Sequence, residues 1–244
     1  MNIKHRLWKL FRRMGYDVSK VTSRSHTLGR RKHLMSLYDI DTVIDVGANT
    51  GQYALQLMQD LGYSKRIVSF EPLNSAFSLL ADNASKHSNW EAFNFALGDT
   101  EETSEINISG NSGSSSILNM LPSHTQSAPH SEYIDTQEIN IKTLDSIFHS
   151  LFNEDNNIFL KIDTQGFEEN VLRGAEESLK HIDTLQIEMS LVPLYEGEML
   201  FNEMHTLMIS KGYNLIAIEP GFADKNTGHT LQADGIFHRV NKPQ

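Results

Sequence analysis

Between residues 40 and 98 the chain alternates short β-branched runs with longer segments whose apolar residues recur every three or four positions. Residues 42–46 predict a strand, and residues 52–62 a helix that opens on a glycine turn and ends at a glycine. Residues 66–70 predict a second strand running into Glu71-Pro72, residues 75–86 a second helix, and residues 90–97 a third strand. This βαβαβ order specifies a parallel sheet with right-handed crossovers and a ligand site at the carboxyl ends of its strands. Periodicity then lapses. Residues 99–137 contain ISGNSGSSSIL and LPSHTQSAPHSEY, rich in Ser, Gly, Asn and Pro. Two readings stand: a decorative insertion without fixed structure, or a mobile flap over the site. Regular patterning resumes with strands at 138–142, 158–162, 184–189, 213–219 and 235–240, and helices at 144–152, 168–181 and 198–211. The fold class that follows is α/β, a doubly wound and mostly parallel seven-stranded sheet. It forms one domain over residues 40–244, behind a helical extension over residues 1–39.

That extension has its own pattern. Ile3, Leu7, Leu10, Phe11 and Met14 recur at helical spacing, with Lys4, Arg6, Lys9, Arg12 and Arg13 around them, which predicts a basic amphipathic helix. Charge sharpens the contrast. The chain carries a net −10, yet residues 1–33 hold ten of its 21 Lys and Arg against the single acid Asp17, so they are +9 and the remainder is −19. One reading is peripheral contact with an anionic membrane surface through residues 1–33, or capture of an anionic substrate. The other is a helix packed on the acidic body or on a second subunit, as a homo-oligomer would provide. An acidic body excludes general nucleic-acid binding, which needs an extended basic surface. With no cysteine, disulfides, thiolate metal sites and cysteine nucleophiles are excluded. No apolar run approaches the length of a membrane span, and no export signal is evident, so the expected location is cytoplasmic, at the inner face of the membrane if the helix anchors there.

The candidate chemistry gathers at DVGANTG, residues 45–51. Glycines at 47 and 51 let backbone approach a ligand closely, and the following helix presents free N–H groups and a positive dipole end. Asp45, read as lying on the rim, can take a charged amine. Twenty residues after Gly51, Glu71 ends the next strand, where a carboxylate can accept both ribose hydroxyls. Together they describe an adenosine site. The dinucleotide fingerprint needs a third glycine that is missing here, and Asp45 would repel a pyrophosphate. A ligand with an ammonium group, such as S-adenosylmethionine, suits the turn better than NAD(P). Lys161, one pleat from Asp163 on the same face, can pair with it. Among eleven histidines no metal-binding spacing occurs, and His124, His130 and His229 have two readings, as bases or as surface positions, the second being the ordinary one.

DVGANTGQY, SFEP, FALGD, FLKIDTQGFEENVLRGA, LQIEMSLVPLY and KGYNL, in this order, resemble the FkbM family of S-adenosylmethionine-dependent methyltransferases. The resemblance covers roughly residues 40–240. It implies a class I methyltransferase sheet, S-adenosylmethionine as donor with S-adenosylhomocysteine as product, and O-methylation of a small-molecule or glycan acceptor such as a sugar or natural-product hydroxyl. Carried over by position, Asp45, Gly47, Ala48, Asn49 and Gly51 line the methionine end and Glu71 binds the ribose. Ala96 and Leu97, closing the third strand, sit near the adenine, with Asp99 reaching its amino group. The fourth and fifth strands deliver Asp163 and Glu188 beside the reacting methyl, either of them the base. The same two carboxylates raise the option of a divalent metal, which is not favoured. The alternatives are an NAD(P)-dependent oxidoreductase and a non-catalytic, membrane-associated binding module.

Overall fold

The computed structural model describes residues 3–16, 18 and 20–239. The amino-terminal unit, Met1–Asp39, holds two helices, α1 (Ile3–Arg13) and α2 (Thr27–Leu37). The His26 ring caps α2, its Nδ1 accepting the Leu28 N–H at 3.2 Å. The second unit, Ile40–Gln244, carries the sheet.

In chain order its elements are β1 (Thr42–Val46), α3 (Gln52–Gln59), β2 (Arg66–Phe70), α4 (Asn74–Ala84), β3 (Trp90–Phe93), β4 (Ala96–Leu97) and β5 (Glu102–Ser109). Then come α5 (Pro122–Ser127), β6 (Tyr133–Lys142), α6 (Leu144–Leu151), β7 (Ile158–Ile162), α7 (Glu168–Arg173), β8 (Thr184–Ser190), α8 (Phe201–Ser210), β9 (Tyr213–Pro220) and β10 (Gln232–Arg239). Seven strands form the main sheet in the order β3-β2-β1-β7-β8-β10-β9. β10 runs antiparallel to both neighbours, and the pairs among β3, β2, β1, β7 and β8 are parallel. β1 and β7 are buried along their whole length, which is why TVIDV and IFLKI read as continuous runs rather than alternating ones. The core on one side of the sheet joins Ile44, Phe70, Leu160 and Leu185 to Phe148 of α6 and Met204 of α8.

Three expectations need correction. The strand predicted over 90–97 breaks after Phe93: Asn94 turns away, its amide donating to the carbonyls of Glu71 and Pro72 at 2.9 and 3.0 Å. Ala96 and Leu97 leave the main sheet and pair with Ile141 and Lys142 in a second sheet of order β4-β6-β5. Residues 99–137 are not structureless, because β5 and β6 form a long antiparallel ladder that starts well before residue 138. The helix predicted over 168–181 ends at Arg173, and a short 3-10 turn, Ser178–His181, follows. Gly174 sits where a Cβ would meet the Gly98 carbonyl oxygen at 1.8 Å, so the chain passes too close to β4 for the helix to continue with a larger residue. The last predicted strand matches β10, and Val240 lies outside the described residues.

Candidate functional site

Register alone assembles the site. Val46 pairs with Phe70 on one side and Ile162 on the other, and Ile162 pairs with Ile187. The residue after each of these, Gly47, Glu71, Asp163 and Glu188, therefore stands on one rim at the carboxyl ends of parallel strands, where such sheets bind ligands.

The turn after β1 is tight for reasons internal to the chain. Gly47 has φ +75°, and a Cβ there would lie 1.8 Å from the carbonyl oxygen of Asp163; Gly51 has φ +88°, and its Cβ would lie 2.5 Å from the Trp90 ring. Both glycines thus serve chain-to-chain packing, in addition to any ligand approach. Gly47 and Ala48 donate their N–H groups to the Phe70 carbonyl, each at 3.1 Å. Asn49, at φ +48°, donates its N–H to Glu71 Oε2 at 2.8 Å, while Leu73 N–H reaches Glu71 Oε1 at 2.9 Å. One carboxylate thereby holds both the turn and the start of the next loop. Burial pushes the Glu71 carboxyl up to about 7, against the pull of these two N–H donors. The Asn49 Oδ1 is buried without a hydrogen-bond partner, an orphaned acceptor in the middle of the turn.

Asp45 is not on the rim. It lies within β1, fully buried, directly across from Lys161, whose Nζ is 3.2 Å from Asp45 Oδ1 and 3.3 Å from Asp163 Oδ2. Burial pushes Asp45 up, and the neighbouring ammonium counters it. Burial by itself would lower Lys161, but Asp163 and Asp45 outweigh it and hold the ammonium form above its usual range. Asp45 is therefore paired with a lysine inside the sheet rather than standing free on the rim.

After β7 the chain makes a turn through Gln165 at φ +57° and Gly166 at φ +97°. Glu168 holds that turn, its Oε1 accepting from the Thr164 N–H at 2.7 Å, the Thr164 hydroxyl at 3.1 Å and the Gly166 N–H at 3.3 Å. The turn aims Gln165 between the two candidate bases. Its Nε2 donates to Asp163 Oδ1 at 2.9 Å and to Glu188 Oε2 at 2.6 Å, and its Oε1 accepts from the Tyr195 hydroxyl at 2.7 Å. Gln232 donates to the same Glu188 oxygen at 2.9 Å. Burial, then Asp163, Glu168 and Asp234, push Glu188 well above the usual carboxylate range. Gln165, Tyr195 and Gln232 were not legible as site residues, since none titrates usefully and none follows a known spacing. The one sequence signal was the Gln-Gly pair, which marks a left-handed turn.

The serine-rich stretch lies across this rim. Asn49 donates to the Ser112 hydroxyl at 3.3 Å, the Ser116 hydroxyl donates to the Gln165 carbonyl at 2.6 Å, and Met120 bridges to Tyr195. Its position is that of the flap reading. His124, expected at the surface, is buried between Tyr195 and Phe222 at ring distances of 5.2 and 5.3 Å, and burial lowers its pKa to about 4. It is neutral at pH 7. His130 and His229 are exposed.

Ala96 and Leu97, expected near a bound base, are buried in the second sheet. Asp99 lies against Gly174, at the end of α7 opposite the Asp163 turn. Asn94 lies next to the Glu71 backbone, and with Phe95 it forms one wall of an open groove of about 490 Å³ that continues along Glu102 and Lys142. Among the described residues, no group of three or more His, Asp or Glu side chains is arranged to hold a metal ion.

Known proteins resemble this chain in sequence and in fold. The model of the methyltransferase FkbM domain matches residues 45–215. A protein of Beauveria bassiana (strain ARSEF 2860) named Methyltransferase 1 is 26% identical over 196 residues, which cover 76% of this chain and 77% of that protein. The crystal structure of a methyltransferase FkbM from Methylobacillus flagellatus KT superposes with a TM-score of 0.51 at 16% identity. The match covers 82% of this chain and 44% of that one, so this chain spans less than half of that relative. M. capricolum TrmK in complex with S-adenosylhomocysteine matches with a TM-score of 0.46 at 8% identity, over 90% of this chain and 72% of that chain.

Proposed function

Because this chain belongs to the FkbM methyltransferase family and so uses S-adenosylmethionine, we propose that it transfers the donor's methyl group to a hydroxyl oxygen of a sugar, glycoconjugate precursor or natural product. The observation that supports this reading is the convergence of Asp163 and Glu188, bridged by one amide nitrogen, on the rim that also carries Gly47 and Glu71. The strand order and the antiparallel β10 support a class I methyltransferase sheet.

The residues present fit the donor. Each Glu71 oxygen has one backbone N–H and keeps acceptor capacity for a ribose hydroxyl. The orphaned Asn49 Oδ1 offers an acceptor to an ammonium group in the place first assigned to Asp45. Ala96, Leu97 and Asp99 keep their assignment to the base side, with Asn94, next to the Glu71 backbone, as a further candidate. When bound, S-adenosylmethionine supplies an electrophilic methyl on sulfur. An alcohol loses its proton only as its oxygen forms the new bond, so a carboxylate within hydrogen-bond reach suffices as base. Asp163 fills that role in our reading. Lys161 pairs with it and orients it, Gln165 fixes it relative to Glu188, and the serine stretch excludes water from the rim.

Titration calorimetry with S-adenosylhomocysteine tests the donor side, with NAD(H) as the control for the oxidoreductase alternative. Glu71→Ala removes two charged hydrogen bonds and should weaken binding by about 3 kcal/mol, roughly a hundredfold. Asp163→Ala should bind within about threefold of the parent and lose methyl transfer by about 100-fold or more. Equal loss of binding in both variants would move Asp163 to the cofactor side.

Glu71 also gives binding a pH dependence. Its carboxyl is lifted from 4.5 to about 7, and ribose hydroxyls favour the ionised form. Affinity for S-adenosylhomocysteine should therefore fall about tenfold per unit as pH drops below 7, and level off above it. Glu71→Gln should bind weakly with a flat profile. A parent profile that is flat between pH 5.5 and 8 would show that Glu71 does not meet the ligand.

A further inference from the structure

We propose that α1 is a docking element for the anionic surface of a lipid bilayer. On the described part of α1 and the turn after it, Leu7, Leu10, Phe11 and Met14 fall at helical spacing and are 49, 54, 40 and 62% exposed. Tyr16, Val18 and Val21 continue the exposed apolar surface beyond the helix. Among the described residues, the densest run of exposed large apolar side chains thus lies within some fifteen residues, from Leu7 to Val21. A solvated face would not be built this way.

The same helix contains Lys4, Arg6, Lys9, Arg12 and Arg13 and no acid. The Arg12 guanidinium lies 4.0 Å over the Trp8 ring, an arrangement that presents a cation and an amphipathic ring together. Charge and apolar surface on one short helix select the occupant. An acidic polar protein face would meet the cations and leave the leucines in water. A second copy of α1 would cover the leucines and set five cations against five. A nucleic acid would meet the cations and offer nothing to the apolar stripe. An interface of anionic headgroups over acyl chains satisfies both at once, with Trp8, Phe11 and Tyr16 of the types that settle at headgroup depth. Residues 1–33 carry +9 and the rest of the chain −19, so the attraction to an anionic surface resides in this segment. One amphipathic helix without a lipid anchor gives reversible attachment.

Full-length protein should sediment with vesicles of phosphatidylcholine plus phosphatidylglycerol and stay in the supernatant with phosphatidylcholine alone. Leu10→Ser with Phe11→Ser, and separately Arg12→Glu with Arg13→Glu, should each weaken vesicle binding by about tenfold or more. Both variants should keep the parent's affinity for S-adenosylhomocysteine, which reports an intact second unit. Light scattering in the same buffer reads the competing occupant. Failure to sediment with anionic vesicles would overturn the proposal. So would unchanged binding in the Leu10/Phe11 variant, or a dimer that the same substitutions dissociate.

Discussion

Lys161→Met should cost the fold about 3–5 kcal/mol at pH 8, the loss typical of leaving one member of a buried ion pair without its partner. Asp45 is fully buried and its nearest cation is Lys161. Methionine fills the volume of the lysine stem but returns nothing to the carboxylate. Asp163 loses the same partner at lower cost, because its side chain remains 32% exposed. The sign with pH is fixed. Burial already holds the Asp45 carboxyl above its unfolded value, and removal of Lys161 raises it further. Between the unfolded and folded values the native state binds the extra proton, so the variant's stability falls as pH rises through that window. Urea denaturation should thus show a smaller penalty at pH 5.5 than at pH 8. Adding Asp45→Asn should recover most of the loss, since replacing both members of a buried pair is far milder than removing one. A penalty under about 1 kcal/mol in the single variant would mean that Asp45 is neutral in the parent and that the pair is not an ion pair.

The case of Asp45 also shows where sequence reasoning carried and where it stopped. β1, β2, β7 and β8 were legible because buried strands are short and dense in apolar and β-branched residues between helical stretches, and the end of such a run in a parallel sheet marks the rim. Glu71, Asp163 and Glu188 were placed at strand ends in this way, and the register sets those ends on one rim. The run TVIDV hid its acid, because a charge inside a buried strand is stable only with a partner, and that partner came from a strand more than a hundred residues away. β5 was missed for the opposite reason. In ETSEINIS only Ile106 and Ser109 are buried, so its solvated face diluted the apolar pattern until the stretch resembled a loop. The bend at Asn94 depends on carbonyls contributed by Glu71 and Pro72, a long-range contact that local propensity does not encode. Gln165 and Tyr195 share that obscurity: a neutral amide and a buried hydroxyl acquire a role only once three loops have converged.

Gly47→Ala should lose about 2–5 kcal/mol and abolish binding of S-adenosylhomocysteine, and Gly62→Ala provides its internal standard. Both glycines have nearly the same conformation, φ +75° and φ +71°. The strain of placing an L side chain there, about 1–2 kcal/mol, is therefore common to the two. Their surroundings differ completely. A Cβ at Gly62 meets nothing within 4 Å, whereas a Cβ at Gly47 lies 1.8 Å from the carbonyl oxygen of Asp163. Backbone cannot rotate aside as a side chain can, so the turn after β1 must separate from the end of β7, an overpacking loss of about 1–3 kcal/mol beyond the strain. That separation stretches the contacts the site depends on: the Asp163 N–H to Val46 carbonyl bond at 3.1 Å, the Lys161 pairing, and the Asn49 N–H on Glu71. Thermal and urea denaturation of the two variants gives the difference directly, free of the shared backbone term. Equal destabilisation would mean that the turn yields without cost, and that contact between β1 and β7 does not set its shape.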